Sequence, residues 1–188
     1  MYEIALDETA RLRPLEPWRA AEFLAHIERG REFIGQFIPF GSTAVDVDSS
    51  RAALQRYEDM RAADTGALHG IWVDDTLVGG VLTLNVEAER GNAEVGCWLE
   101  PSATGRGLIT RAMIPMIDWL FDGRGMHRVE WVAASGNVPS LNVARRLGFT
   151  QDGVRREAAP WRGVRHDLEI WSLLAPEWPS ARAALLAR

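Results

Sequence analysis

Leu99-Glu100-Pro101-Ser102-Ala103-Thr104-Gly105-Arg106-Gly107-Leu108 is the stretch on which the fold reading turns. On its amino-terminal side, Ala93-Glu94-Val95-Gly96-Cys97-Trp98-Leu99 reads as a strand. On its carboxyl side, apolar residues fall at Leu108, Ile109, Ala112, Met113, Met116, Ile117 and Leu120, one broad helical stripe. A strand therefore passes through a short glycine-bearing loop into an amphipathic helix. Glycine lets the loop turn sharply and approach a ligand closely. The first amides of the helix converge on one spot, with the positive end of the helix dipole behind them. That arrangement binds phosphate. Thr104 adds a hydroxyl and Arg106 a cation. An ordinary strand-to-helix turn has the same spacing, because a single Gly-x-Gly is a short motif. Pro115 predicts a bend in the helix, since the Arg111 carbonyl loses its usual partner.

Upstream, residues 10–15 read as a strand, and Glu16-Pro17 opens a helix carrying Trp18, Phe23, Leu24 and Ile27. Residues 31–40 are apolar and irregular, and Asp48 or Ser49 caps a second helix with Leu54, Tyr57 and Met60. Two apolar runs, Ala67 to Val73 and Leu77 to Val86, flank the turn Asp74-Asp75-Thr76 and form a meander with the strand ending at Leu99. Downstream come a strand from Arg128 to Ala134, a short helix from Val138 to Leu147 stopped by Gly148, and strands 150–156 and 165–174. The order β, α, α, β, β, β, α, β, α, β, β predicts an α/β fold: one mixed, mostly antiparallel twisted sheet flanked by helices. With no repeat and no linker, residues 1–188 read as a single domain.

Composition narrows the chemistry. Apolar residues make up 47% of the 188 residues and charged residues 25%, the profile of a globular protein able to bury a core. All 21 basic residues are arginine, which reads as codon bias. The absence of lysine excludes a Walker-type phosphate loop and Schiff-base catalysis. A net charge of −5 argues against nucleic acid as a direct partner. The single cysteine, Cys97, allows no internal disulfide, and His26, His69, His127 and His166 lack metal-ligand spacing, so no metal is expected. No apolar run is long enough to span a membrane. The acidic start, with no basic n-region, is unlike a signal peptide, so the cytoplasm is the expected compartment.

A second informative segment is Asn137-Val138-Pro139-Ser140-Leu141-Asn142-Val143-Ala144-Arg145-Arg146-Leu147-Gly148-Phe149. Together with Glu94 to Leu99 and Gly105-Arg106-Gly107, it resembles the GNAT superfamily of acetyl-CoA-dependent N-acetyltransferases. The resemblance is to the branch that acetylates protein N-termini, notably those of ribosomal proteins. Asp152-Gly153 and the strand from His166-Asp167 to Leu174 resemble that branch's ending, so the likeness covers nearly the whole chain. Ser102 stands where the superfamily often has Gln or Arg, and Asp152 where the branch often has Glu.

The resemblance implies splayed central strands, parting near Leu99 and Ala133, that admit the pantetheine arm of acetyl-CoA. It implies contacts to the co-substrate from Cys97, Trp98 and Leu99, from Thr104, Gly105, Arg106, Gly107 and Leu108, and from Asn137 and Asn142. It assigns to Ser140 the protonation of the leaving thiolate; the alternative is a plain helix-start serine. Asn137 caps the short helix and is also a candidate catalytic residue, binding a water or a pantetheine group. An amine nucleophile must lose a proton, and Glu94 is the leading base, with Glu157 behind it; the alternative for Glu94 is an exposed strand-face acid. Cys97 reads as a small buried residue rather than a nucleophile, and Trp161 is a candidate for the rim of the acceptor site.

The function expected is direct acetyl transfer in a ternary complex to a primary amine, the α-amine of a protein or peptide N-terminus. The alternatives are a transferase acting on an antibiotic or aminoacyl compound, and a non-catalytic CoA-binding regulatory domain. The partner is the amine substrate, and a homodimer is left open.

Overall fold

The computed structural model describes residues 3–187. Among them, eight strands form one mixed, mostly antiparallel sheet, accompanied by six α-helices. The strands are β1 (Ile4–Ala5), β2 (Ala10–Pro14), β3 (Ala67–Val73), β4 (Thr76–Glu87), β5 (Asn92–Leu99), β6 (Arg128–Ala134), β7 (Thr150–Trp161) and β8 (Val164–Leu174). The helices are α1 (Ala20–Ile34), α2 (Phe40–Thr43), α3 (Val47–Ala62), α4 (Leu108–Asp118), α5 (Val138–Leu147) and α6 (Trp178–Leu186). The sheet order is β1-β2-β3-β4-β5-β6-β8-β7. The β5–β6 pair is parallel, in register from Asn92↔Arg128 to Val95↔Trp131. Both strands run on past that register, β5 to Leu99 and β6 to Ala134.

Internal contacts group the chain into two compact units. One holds the chain up to Leu84 together with Cys97–Met113. Its core gathers Phe23 and Ile27 of α1, Phe40 of α2, Leu54 of α3, Trp72 of β3 and Trp98 of β5. The Phe40 ring meets Phe23 and Trp98 edge-on, at 5.2 and 5.3 Å, an arrangement that aligns the ring quadrupoles favourably. The other unit holds Asn85–Gly96 and the chain from Ile114 on. There Val129, Trp131 and Ala133 of β6 are buried, as are Leu141, Ala144 and Leu147 of α5. Gly148 ends α5 at φ 93°, as its sequence predicts.

Several elements differ from the sequence reading. The cap of α3 is Asp46, which accepts from the Ser49 amide at 2.7 Å, while Ser49 closes the box from inside the first turn. The irregular 31–40 stretch is the end of α1 and the approach to α2. The last hairpin is longer than predicted, with β7 reaching Trp161 and a two-residue turn at Arg162-Gly163. Both turn residues have positive φ, 50° and 78°, the geometry that matches strand twist in a tight hairpin. Helix α6 has no strong apolar stripe; it is fastened by Asp118, which accepts from Trp178 Nε1 at 2.7 Å and Arg182 Nε at 2.8 Å. Helix α4 continues through Pro115 and closes in a π-helical turn over Trp119–Gly123.

Candidate active site

The loop between β5 and α4 is built around its own backbone. Pro101–Ala103 make a 3₁₀ turn, and Thr104 Oγ1 donates to the Pro101 carbonyl at 2.8 Å. With its proton spent there, the Thr104 hydroxyl has none left for an anion. Gly105 and Gly107 adopt φ of 75° and 72°, left-handed angles that side-chain-bearing residues resist. Arg111, in the first turn of α4, fastens the loop from below: its Nη2 donates to the Arg106 carbonyl at 3.0 Å and to Asp7 at 2.9 Å. Its backbone amide bonds the Gly107 carbonyl at 3.1 Å, which starts the helix. The first amides of an α-helix have no carbonyl one turn back to bond, and Leu108 and Ile109 open α4. The Arg106 side chain is exposed above them. Amide donors, a helix dipole and one unneutralised guanidinium fit the pyrophosphate of a CoA thioester.

A buried polar network underlies β5. Trp98 Nε1 donates to His26 Nε2 at 2.9 Å, so the His26 proton sits on Nδ1, 3.0 Å from Glu100 Oε2. Arg29 Nε donates to the same oxygen at 2.9 Å, and Ser102 Oγ to Glu100 Oε1 at 2.7 Å. Burial holds the His26 imidazole below its ordinary range against the pull of Glu100. Burial alone would raise Glu100; the hydrogen bonds from Ser102 and His26 and the Arg29 charge together hold it below the usual carboxylate range. The residues that begin the phosphate loop are thus clamped to α1. The Trp98 side chain is committed to this core, which leaves only its backbone to serve the co-substrate contact expected from the sequence. Cys97 is half-buried, and desolvation pushes its thiol up to about 12, leaving it protonated and a poor nucleophile.

In the other unit, Glu94 lies half-buried on β5, beside Glu130 in the β5–β6 register. Burial raises its pKa, the Glu130 carboxylate adds to the rise, and Asn85 and Arg155 oppose it. Asn85 Nδ2 donates to Glu94 Oε2 at 2.9 Å. Glu130 in turn accepts from Arg128 Nε at 2.9 Å, and Arg128 also pairs with Asp152.

Asn137 caps α5 by accepting from the Ser140 amide at 3.3 Å. The Ser140 hydroxyl accepts from Trp131 Nε1 at 3.0 Å. The indole thereby fixes the oxygen and leaves the hydroxyl proton free to be given elsewhere. Asn142 stands apart: two residues on from Ser140 is about 200° around the helix, and its Oδ1 accepts from Arg145 Nη1 at 2.9 Å. Glu157 is exposed in an irregularity of β7.

Asn85, Trp131 and His26 were not singled out as site residues from the sequence. Asn85 carried one signal, a polar residue with strong turn preference inside an apolar strand run. Trp131 and His26 carried none, because their partners lie far off in sequence. Among the described residues, no group of His, Cys, Asp and Glu is arranged to hold a metal ion, and no helix is long and apolar enough to cross a membrane.

Comparison with known proteins follows the same lines. The family model described as "Acetyltransferase (GNAT) domain" matches residues 10–150. YdaF of Bacillus subtilis (strain 168), provisionally named a ribosomal N-acetyltransferase, is 29% identical over 183 residues, covering 95% of this chain and 98% of its own. Two solved structures share the fold. RimL, a ribosomal L7/L12 α-N-protein acetyltransferase in complex with coenzyme A, superposes with a TM-score of 0.85 at 19% identity, covering 92% of this chain and 97% of RimL. The microcin C7 self-immunity acetyltransferase MccE, in complex with acetyl-CoA and AMP, has a TM-score of 0.85 at 20% identity, covering 91% and 95%.

Proposed function

The chain belongs to the GNAT acetyltransferase family and is an N-acetyltransferase, and from that premise we propose that it moves the acetyl group of acetyl-CoA onto the α-amine of a protein or peptide N-terminus. The observation that carries the co-substrate is the left-handed Gly105-Arg106-Gly107 turn at the amino end of α4. The acceptor assignment is supported by the full-length likeness to YdaF.

Acetyl-CoA supplies the thioester. The amides of Gly105 to Leu108 and the Arg106 guanidinium hold its pyrophosphate, and the backbone of Cys97–Leu99 offers hydrogen bonds to the pantetheine amides. Glu94 takes a proton from the acceptor ammonium, directly or through one water, and burial makes it a stronger base for that task. The amine nitrogen bonds the acetyl carbon, the C–S bond breaks, and Ser140 gives its proton to the departing sulfur while the proton shed by the acylated nitrogen returns to Ser140. Trp131, already donating to the Ser140 oxygen, holds the hydroxyl in place and offsets charge left on it. Asn137 sets the first turn of α5 and with it the position of Ser140. Direct transfer needs no covalent enzyme intermediate, in keeping with a protonated Cys97.

Thiol release from acetyl-CoA, measured across N-terminal peptides, aminoacyl compounds and small amines, tests this reading. Turnover that requires a free α-amine followed by a peptide bond is the expected result. Turnover confined to small amines would overturn the acceptor assignment, and no acetyl-CoA-dependent turnover with any amine would overturn the mechanism.

A further inference from the structure

The outer part of the β7–β8 hairpin is arginine-rich on a chain whose net charge is −5, while over its whole length the hairpin balances four arginines with Asp152, Glu157, Asp167 and Glu169. Between Val154 and His166 it carries Arg155, Arg156, Arg162 and Arg165 against a single carboxylate, Glu157. All four arginines are exposed, and among the described residues none of them pairs with a carboxylate. Arg165 is tied only to backbone, donating from Nη1 to the Glu157 carbonyl at 2.9 Å.

The hairpin is also rigidly shaped. Its register shifts between Arg155 and Ala159, so Arg156, Glu157 and Ala158 bulge from the ladder. Glu157 sits there at φ 50°, an angle a non-glycine residue keeps only when its surroundings hold it. They do so from both sides: the Glu157 amide donates to Asp167 Oδ1 at 2.7 Å, and its carbonyl takes the Arg165 bond. A fixed bulge re-aims the side chains it carries.

The hairpin adjoins the candidate base. Arg155 lies opposite Leu168, Glu130 lies opposite Ser172, and Glu94 lies opposite Glu130. Steps of two along β8 keep to one face, so Arg155 and Glu94 share a face of the sheet. The Arg155 charge is close enough to oppose the rise of the Glu94 pKa. Along this face the carboxylates of Glu94 and Glu130 give way to the Arg155 guanidinium, with the bulge at Arg156 and the turn at Arg162 beyond it. A polypeptide that begins with an ammonium and continues with acids has the complementary order.

We propose that Arg155, Arg156 and Arg162 form a docking surface for an acidic stretch of the acceptor chain, just downstream of the amine presented to Glu94. The inference rests on the N-terminal acetyltransferase reading. Charge complementarity of this kind orients a partner and rejects others. A short acidic peptide also fits better than nucleic acid, whose continuous charge would run past the outer part of the hairpin onto Asp152 and Glu169 nearer its base.

Two peptides of equal length decide the matter, each with the same two starting residues followed by a run of Glu or a run of Gln. With the wild-type protein, KM for the Glu peptide is expected about tenfold below that for the Gln peptide, with the gap shrinking as salt rises. In the double variant Arg156→Gln, Arg162→Gln the gap closes while kcat holds for both peptides. Equal KM values in the wild type, or a gap that survives in the folded double variant, would overturn the proposal. If neither peptide is acetylated, the acceptor reading fails, and docking is read separately by fluorescence anisotropy of the labelled peptides. Tighter binding of the Glu peptide by wild type, lost in the double variant, supports the surface; equal binding of both peptides overturns it. A labelled single-stranded RNA that binds more tightly than the Glu peptide, and through the same two arginines, would give the surface to nucleic acid and overturn the proposal.

Discussion

Asn85 donates from Nδ2 to Glu94 Oε2 at 2.9 Å, and it does so from a backbone held at φ 48°. Asparagine is among the few side-chain-bearing residues that tolerate that conformation. The local irregularity of β4 thus aims a donor at the carboxylate proposed above as the base.

Glu94 should govern the acid limb of the pH profile. Burial raises its pKa, so kcat/KM should rise with pH through a midpoint above the ordinary Glu value of 4.5. Glu94→Gln should lower the rate about 10²–10⁴-fold, the usual size of a general-base contribution, and abolish that limb. Asn85→Gly keeps the backbone angle and removes the donor that lowers the pKa, so the midpoint should move further up. An unmoved midpoint would remove the Asn85 link; an unaffected rate in Glu94→Gln would remove the base.

Ser140→Ala should slow turnover by about 10²–10³ while leaving acetyl-CoA affinity nearly unchanged, because the hydroxyl acts on charge that develops only in the transition state. Trp131 Nε1 loses its acceptor in this variant, so stability should fall by about 1–3 kcal/mol. Steady-state kinetics and a denaturant titration separate the two effects. A folded variant with wild-type turnover would reduce Ser140 to an acceptor for Trp131.

Gly107→Val should weaken acetyl-CoA binding. The position has φ 72°, and a Cβ there would stand 3.0 Å from Arg111 Nη1, on the guanidinium whose Nη2 fastens the loop. A β-branched residue resists the angle and disturbs the clamp together. In the wild type, ligand at about 100 times Kd adds about 2.7 kcal/mol of stability, seen as a rise in Tm. The variant should show a smaller rise at the same concentration, and an equal rise would count against the cradle.

His69 makes folding sensitive to acid. It is buried in β3 with Nδ1 unpartnered, and burial pushes it from 6.5 down to about 4. Its folded pKa lies below its unfolded one, so the unfolded chain takes the proton first. Stability should therefore fall as pH drops from about 6.5 through about 4, by on the order of 3 kcal/mol. His69→Leu should flatten that slope, leaving the smaller part due to His26, whose pKa is lowered in the same sense. Denaturant midpoints across this range check it, and an unchanged slope in the variant would refute it.

Local pattern made much of this legible. The apolar offsets after Gly107, the strand runs on either side of Asp74-Asp75, and the Asn137 cap with its Gly148 stop all depend on residues within a turn or a hairpin of one another. Where the pattern misled, something distant had intervened. Helix α6 lacks a stripe and is held by Asp118, and β7 outruns its pattern because Asp167 and Arg165 hold its bulge open.

The sequence by itself determined the strand-loop-helix with glycines in its loop, the absence of lysine chemistry, and the family likeness carried by spaced motifs. Those are properties of neighbours along the chain and of composition. Tertiary structure decided which atoms the site residues face: that Trp131 occupies the Ser140 oxygen, that Asn85 reaches Glu94, that His26 and Glu100 lock Trp98 into the core, and that Asn142 turns away from Ser140. Hydrogen bonds and desolvation depend on distances of a few ångströms between residues up to 74 positions apart, and no local pattern encodes them.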